Sequence, residues 1–80
     1  MEKVSIVGIG KLGLCFGLTL EKAGYDVLGC DINNDYVNLL NSKTFHSTED
    51  GVNEHLRESN NFRATTSLAE TIGHSDTIFV

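Results

Sequence analysis

Gly8-Ile9-Gly10-Lys11-Leu12-Gly13 lies between a run of apolar, β-branched residues and an amphipathic stretch, and no other feature restricts the fold as much. The preceding Val4-Ser5-Ile6-Val7 has the composition of a short buried strand. From Lys11 to Ala23, the residues Leu12, Cys15, Phe16, Leu18, Leu20 and Ala23 make a broad helical face, and Gly24 supplies a stop signal. A GxGxxG spacing is weak evidence by itself, but between a strand and a helix each glycine acquires a physical role. Gly8 permits the tight turn, Gly10 lets backbone come close to a ligand, and Gly13 lets the helix lie against the strand. Gly17 extends that close packing by one turn. Free N–H groups at the helix start, together with the positive end of its dipole, favour a phosphate. The backbone at Lys11 and Leu12 is the expected contact, while the Lys11 ammonium is as readily explained by solvation.

A second strand is expected over residues 26–31, with Val27, Leu28 and Cys30 apolar and a carboxylate at its end. That acid, Asp31, stands 18 positions after Gly13, where it can accept the two hydroxyls of an adenosine ribose. A 2′-phosphate at the same place would need a cation, and Ile32, Asn33, Asn34, Asp35 and Tyr36 provide none. The expected cofactor is therefore NAD rather than NADP, with Asp35 adding repulsion towards the extra phosphate.

Asn33 or Asn34 caps a second helix that buries Val37, Leu39 and Leu40, and a polar loop follows over residues 42–48. Val52 and Leu56 suggest a short helix within residues 49–57. Residues 62–66 form a third strand. Ser67 with Glu70 is a capping-box pattern opening a helix towards Gly73, and residues 76–80 begin a fourth strand. This β-α-β alternation predicts an α/β fold of the Rossmann type, a parallel sheet in the order 3-2-1-4 with helices on both faces. The sequence stops inside an apolar strand, so residues 1–80 are expected to be the amino-terminal part of an NAD-binding domain.

Other classes of function find little support. Six Lys and Arg against 11 Asp and Glu leave a net charge of −5, with no basic patch for nucleic acid. Cys15 and Cys30 lack CxxC spacing and are expected to be small core residues rather than metal ligands, redox groups or nucleophiles. His46, His55 and His74 stand in polar surroundings and are expected to face solvent, so no metal site is anticipated. No apolar run is long enough to span a membrane, and no targeting segment is visible; a reduced, cytoplasmic setting fits. At 80 residues the chain buries too little surface for more than marginal independent stability.

The run from Lys3 through Leu14, followed by Gly24-Tyr-Asp-Val-Leu-Gly-Cys-Asp-Ile, resembles the amino terminus of the UDP-glucose/GDP-mannose 6-dehydrogenase family. Glu49-Asp-Gly-Val-Asn-Glu-His-Leu is similar to that family's Glu-Pro-Gly-Leu segment, Arg63-Ala-Thr-Thr-Ser-Leu-Ala-Glu to its third strand and helix, and Ser75-Asp-Thr-Ile-Phe-Val to its fourth strand. The resemblance implies an oxidoreductase that converts the C6 alcohol of a UDP- or GDP-sugar to a carboxylate with two NAD molecules in succession, through a thioester on a cysteine. It also implies a homo-oligomeric parent protein, whose catalytic residues and sugar-nucleotide contacts lie beyond residue 80, so that no residue here is catalytic. Carried over by position, it assigns Gly8, Gly10, Lys11, Leu12, Gly13 and Asp31 to the adenosine and pyrophosphate. Two departures stand out. Tyr36 occupies a place where the family often has a cofactor-contacting Lys or Arg, and can stack or donate its hydroxyl but not pair charge. Asp50 replaces the proline of Glu-Pro-Gly-Leu and is expected to loosen that turn. Rival readings with the same opening are a β-hydroxyacid or 3-hydroxyacyl-CoA dehydrogenase, a non-catalytic NAD-sensing module, and an FAD site; a methyltransferase fits less well.

Overall fold

A computed structural model describes residues 1–80. Four strands and four helices alternate as β1 (Lys3–Val7), α1 (Lys11–Lys22), β2 (Asp26–Cys30), α2 (Asn34–Ser42), α3 (Val52–Glu58), β3 (Phe62–Thr65), α4 (Leu68–His74) and β4 (Ile78–Phe79). The strands form one parallel sheet in the order β3-β2-β1-β4, as the alternation predicts. Val7 lies opposite Cys30 and Cys30 opposite Thr65, which aligns the carboxyl ends of β1, β2 and β3 along one edge.

Alternation along β1 assigns its residues to two faces. Val4 and Ile6 join Val27, Phe62 and Ala64 beneath Leu14 and Leu18 of α1, Val37 and Leu40 of α2, and Val52 and Leu56 of α3, in one apolar cluster. Ser5 points the other way and donates its hydroxyl to the Thr71 carbonyl of α4 at 2.7 Å. A fully buried serine in a central strand is thus satisfied by the helix on the opposite face. Helices α1, α2 and α3 cover one face and α4 the other, as right-handed crossovers require.

The face of α1 differs from the expected one. Leu14, Gly17 and Leu18 are buried, whereas Leu12 is 84% exposed and Phe16 41% exposed. The reason is Gly17. A Cβ there would stand 2.8 Å from the Phe62 ring and 3.2 Å from Ile6 Cδ1, so the glycine lets the helix lie close against the sheet. The buried stripe runs through it and turns Phe16 towards the β4 edge, where it meets Phe79 edge-to-face at 5.0 Å. Leu39, expected inside α2, is also exposed.

The histidines need correction as well. His46 is exposed, but the His74 side chain is only 6% exposed, with Nε2 3.0 Å from the Asp26 carbonyl oxygen. His55 is half-buried, and its Nε2 has no partner. His74 ends α4 and folds back onto the Asp26 end of β2, while His55 lies in the middle of α3, and local composition reveals neither burial. Cys30 is buried as expected and Cys15 half-buried, neither in a disulfide.

Helix ends follow their side chains. Asn33 caps α2 by accepting the Tyr36 N–H at 3.0 Å, and Ser67 caps α4 by accepting the Glu70 N–H at 3.0 Å. The Glu70 carboxylate turns outward to Arg63 at 3.5 Å, so only half of the capping box forms. The turn around Asp50 is not loose. Ser47 and Asn53 exchange two hydrogen bonds, at 2.7 and 3.0 Å, and Glu49 N–H adds a third to the Ser47 hydroxyl at 3.1 Å.

At the β3 edge, the Asn41 side chain acts as a short extra strand. It donates to the Ala64 carbonyl and accepts the Ala64 N–H, both at 2.8 Å. Asn41→Ala is expected to lower stability by about 1–2 kcal/mol, because water replaces the two bonds only in part. A lower urea midpoint at unchanged m-value is the measurement that checks it.

Candidate dinucleotide site

The carboxyl end of β1, beside that of β2, borders the point where the strand order reverses between β1 and β4, the place at which open parallel sheets bind ligands. Gly8 leaves β1 with φ +93°, a left-handed conformation that favours glycine, and its N–H donates to the Cys30 carbonyl at 2.8 Å. Ile9 then drops its side chain into the core, fully buried. Gly29 of β2 makes the room. A Cβ at Gly29 would lie 2.5 Å from Ile9 Cγ2, so the turn is seated by a glycine outside the GxGxxG pattern. Sequence reasoning missed Gly29, and only its place in a strand, where glycine is disfavoured, signals it.

Gly13 is required by the protein itself: a Cβ there would stand 2.3 Å from the Gly8 carbonyl oxygen. Gly10 is different. Its φ is −62°, and an added Cβ would meet no atom within 4 Å. It is the N-cap of α1, a position that tolerates glycine well, and the missing side chain leaves the backbone open to a ligand.

Helix α1 begins at that open surface. The first intrahelical bond runs from Leu14 N–H to the Gly10 carbonyl at 2.8 Å, and Lys11, Leu12 and Gly13 N–H have no hydrogen-bond partner within the protein. No side chain caps this end and its first turn holds no acid, in contrast to the side-chain-capped α2 and α4. These donors and the helix dipole together suit an anion such as a pyrophosphate.

Asp31 follows directly on β2, half-buried, with Oδ1 accepting the Asn33 N–H at 3.0 Å. Its carboxylate keeps further acceptor capacity for hydroxyl groups. Ile32 beside it is 97% exposed, a large apolar side chain turned wholly outward next to the acid. Tyr36 lies on the first turn of α2, half-buried against Phe45, and its hydroxyl donates to the Ile9 carbonyl. Burial, followed by the nearby Asp31 carboxylate, pushes its phenol up to about 12, so it remains a protonated donor. The expectation of a tyrosine free to give its hydroxyl to a ligand is therefore revised: that proton is already engaged by the glycine turn.

The Lys11 ammonium meets Glu49 at 2.7 Å on the protein surface. The hydrogen bond and then the charge of Glu49 raise its pKa. This pair, 38 positions apart in sequence, has no local signal. Between the turn, Tyr36, Phe45 and Val52 lies a pocket of about 360 Å³. Gly8, Gly10, Lys11, Leu12, Gly13, Asp31 and Tyr36 are thus brought together at one sheet edge, and no cluster of side chains suited to a metal ion accompanies them.

Residues 2–80 match the model of the UDP-glucose/GDP-mannose dehydrogenase family, NAD binding domain. The chain belongs to that family. It is 32% identical over 77 residues to GDP-mannose 6-dehydrogenase of Pseudomonas savastanoi pv. phaseolicola, covering 92% of this chain and 18% of that protein. Among solved structures, a UDP-glucose dehydrogenase from Pyrobaculum islandicum superposes with a TM-score of 0.89 at 25% identity, over 98% of this chain and 19% of that one. The UDP-N-acetyl-mannosamine dehydrogenase of Staphylococcus aureus gives 0.70 at 32% identity, over 82% and 16%. The chain therefore spans less than a fifth of the length of these relatives. NAD is the cofactor of the domain so matched, and the residues present fit it: an anion-ready helix start, an open glycine backbone beside it, and an acid at the end of β2. No helix is long and apolar enough to cross a membrane.

Proposed function

We propose that residues 1–80 are the amino-terminal, NAD-binding part of a nucleotide-sugar 6-dehydrogenase, an enzyme that oxidises the C6 alcohol of a UDP- or GDP-sugar to the carboxylate in the cytoplasm. The observation that carries the assignment of the site is the open start of α1, where Lys11, Leu12 and Gly13 N–H have no partner in the protein and no side chain caps the helix. NAD, when bound, supplies the hydride acceptor. Within this chain the work is binding and orientation. Lys11, Leu12 and Gly13 N–H groups, with the dipole of α1, hold the pyrophosphate, and the Asp31 carboxylate accepts the adenosine ribose hydroxyls. The acid also selects the cofactor, since a 2′-phosphate there would meet Asp31 and Asp35 with no cation on the α2 side. Catalytic groups and sugar contacts belong, in this reading, to other parts of the complete protein, which is proposed to be a homo-oligomer.

Calorimetric titration of NAD and NADP into the complete protein tests the site. Asp31→Asn keeps the shape of the side chain while removing its charge and one acceptor. It is expected to weaken NAD binding about tenfold, the size of one charge-assisted hydrogen bond, and to narrow the preference over NADP. Unchanged NAD affinity in this variant would remove Asp31 from the site.

A further inference from the structure

Four hydrogen bonds close a circuit between the acid and the glycine turn. The Asp31 carboxylate accepts the Asn33 N–H at 3.0 Å, and the Asn33 side chain accepts the Tyr36 N–H at 3.0 Å. The Tyr36 hydroxyl then donates to the Ile9 carbonyl, and Gly8 N–H returns to the Cys30 carbonyl at 2.8 Å, one residue from Asp31. Edge-to-face packing on Phe45, with ring centroids 5.1 Å apart, fixes the tyrosine ring.

The Ile9 carbonyl and the Gly10 N–H belong to the same peptide. In a trans peptide the two point in opposite directions, so holding the carbonyl towards α2 turns the N–H away from it. The buried Ile9 side chain, wedged over Gly29, fixes one side of that peptide, and the Tyr36 hydroxyl fixes its plane. Charge, meanwhile, is scarce here. Lys11 is paired with Glu49, and Tyr36 brings no cation from α2.

We infer that Tyr36 is a positioning residue for the pyrophosphate half of the dinucleotide site: its hydroxyl orients the Ile9–Gly10 peptide and the open N–H groups that follow it. This rests on the NAD reading above. A backbone already aimed at the ligand spends no binding energy on reorientation, which is how an uncharged residue can raise affinity for an anion without touching it.

The test uses the complete protein with two probes, NAD and adenosine, the second lacking phosphate. Tyr36→Phe keeps the ring and its packing on Phe45 and removes only the donor. NAD affinity is expected to fall about fivefold, the usual net worth of one neutral hydrogen bond, with adenosine binding, followed by saturation-transfer NMR, unchanged. Asn41→Ala, which loosens α2 from β3 but keeps the Tyr36 hydroxyl and its ring packing, is expected to retain NAD affinity within twofold. Wild-type NAD affinity in Tyr36→Phe would overturn the inference. So would an equal loss of NAD and adenosine, which marks a direct ribose contact or general damage, and so would equal losses of NAD in the two variants, which mark packing alone. A wild-type protein that takes up no NAD would instead overturn the underlying reading together with this one.

Discussion

Gly13→Ala is expected to lose about 3 kcal/mol of stability, the upper end of the usual cost of overpacking. Its Cβ would stand 2.3 Å from the Gly8 carbonyl oxygen and 3.2 Å from the Gly8 carbonyl carbon. Both are backbone atoms, so no rotamer change relieves the contact. Relief requires α1 to move off the sheet or Gly8 to leave its left-handed conformation, and the second also breaks the Gly8 N–H bond to Cys30. For a domain of this size such a loss lowers the melting temperature by about 10–20 °C, and NAD binding falls with it because the helix start is displaced. Gly73→Ala is the control: it lies within α4 with open space at its Cβ, and is expected to melt at or above the wild-type temperature. Circular dichroism melts of the two variants make the comparison. A Gly13→Ala protein that melts like the wild type would show that α1 does not approach the turn this closely.

Gly17 sets a useful contrast. An alanine there would press on the Phe62 ring at 2.8 Å and on Ile6 Cδ1 at 3.2 Å, longer contacts made with side-chain atoms that can shift by a few tenths of an ångström, so the cost is smaller. What a glycine contributes depends on whether its neighbour can yield, and that neighbour is not named by the motif.

The same distinction decides how much could be read from the residues alone. The sheet order and the alternation of elements were legible because the strand and helix signals are local: β-branched runs, glycines at the stops, Asn33 and Ser67 at helix starts. The acid after β2 was legible because register places Cys30 beside Val7, one residue short of both Asp31 and Gly8. The exposure of Leu12 and Phe16 was not, since their apolar character fits a core face equally well until the approach at Gly17 selects which stripe of α1 turns inward. The burial of His74 depends on the far end of β2, 48 positions away. Lys11 with Glu49, Ile9 with Gly29, and Tyr36 with Ile9 are likewise pairs made by tertiary structure, and each alters what the motif residue beside it can do.

Gly10→Ala is expected to separate folding from binding. Beyond its chain neighbours no protein atom lies within 4 Å of the added Cβ, and φ is −62°, so the melting temperature should stay within a few degrees of wild type, with a small loss from replacing glycine at an N-cap offset by a less flexible unfolded chain. Binding should not survive as well. A methyl group would project from the surface where a pyrophosphate lies against the peptide, and it cannot be accommodated by repacking because it meets the ligand rather than the protein. A cost of about 3 kcal/mol, the scale of an unrelieved overpacking, corresponds to an affinity roughly a hundredfold weaker. The loss should extend to ADP and spare adenosine, since only the former carries the pyrophosphate. Calorimetry beside a thermal melt reads both halves of this expectation on one preparation. If the variant binds NAD as the wild type does, the phosphate does not lie over Gly10. A stable protein that no longer holds NAD ties the glycine to the ligand, because the loss is then of binding and not of folding.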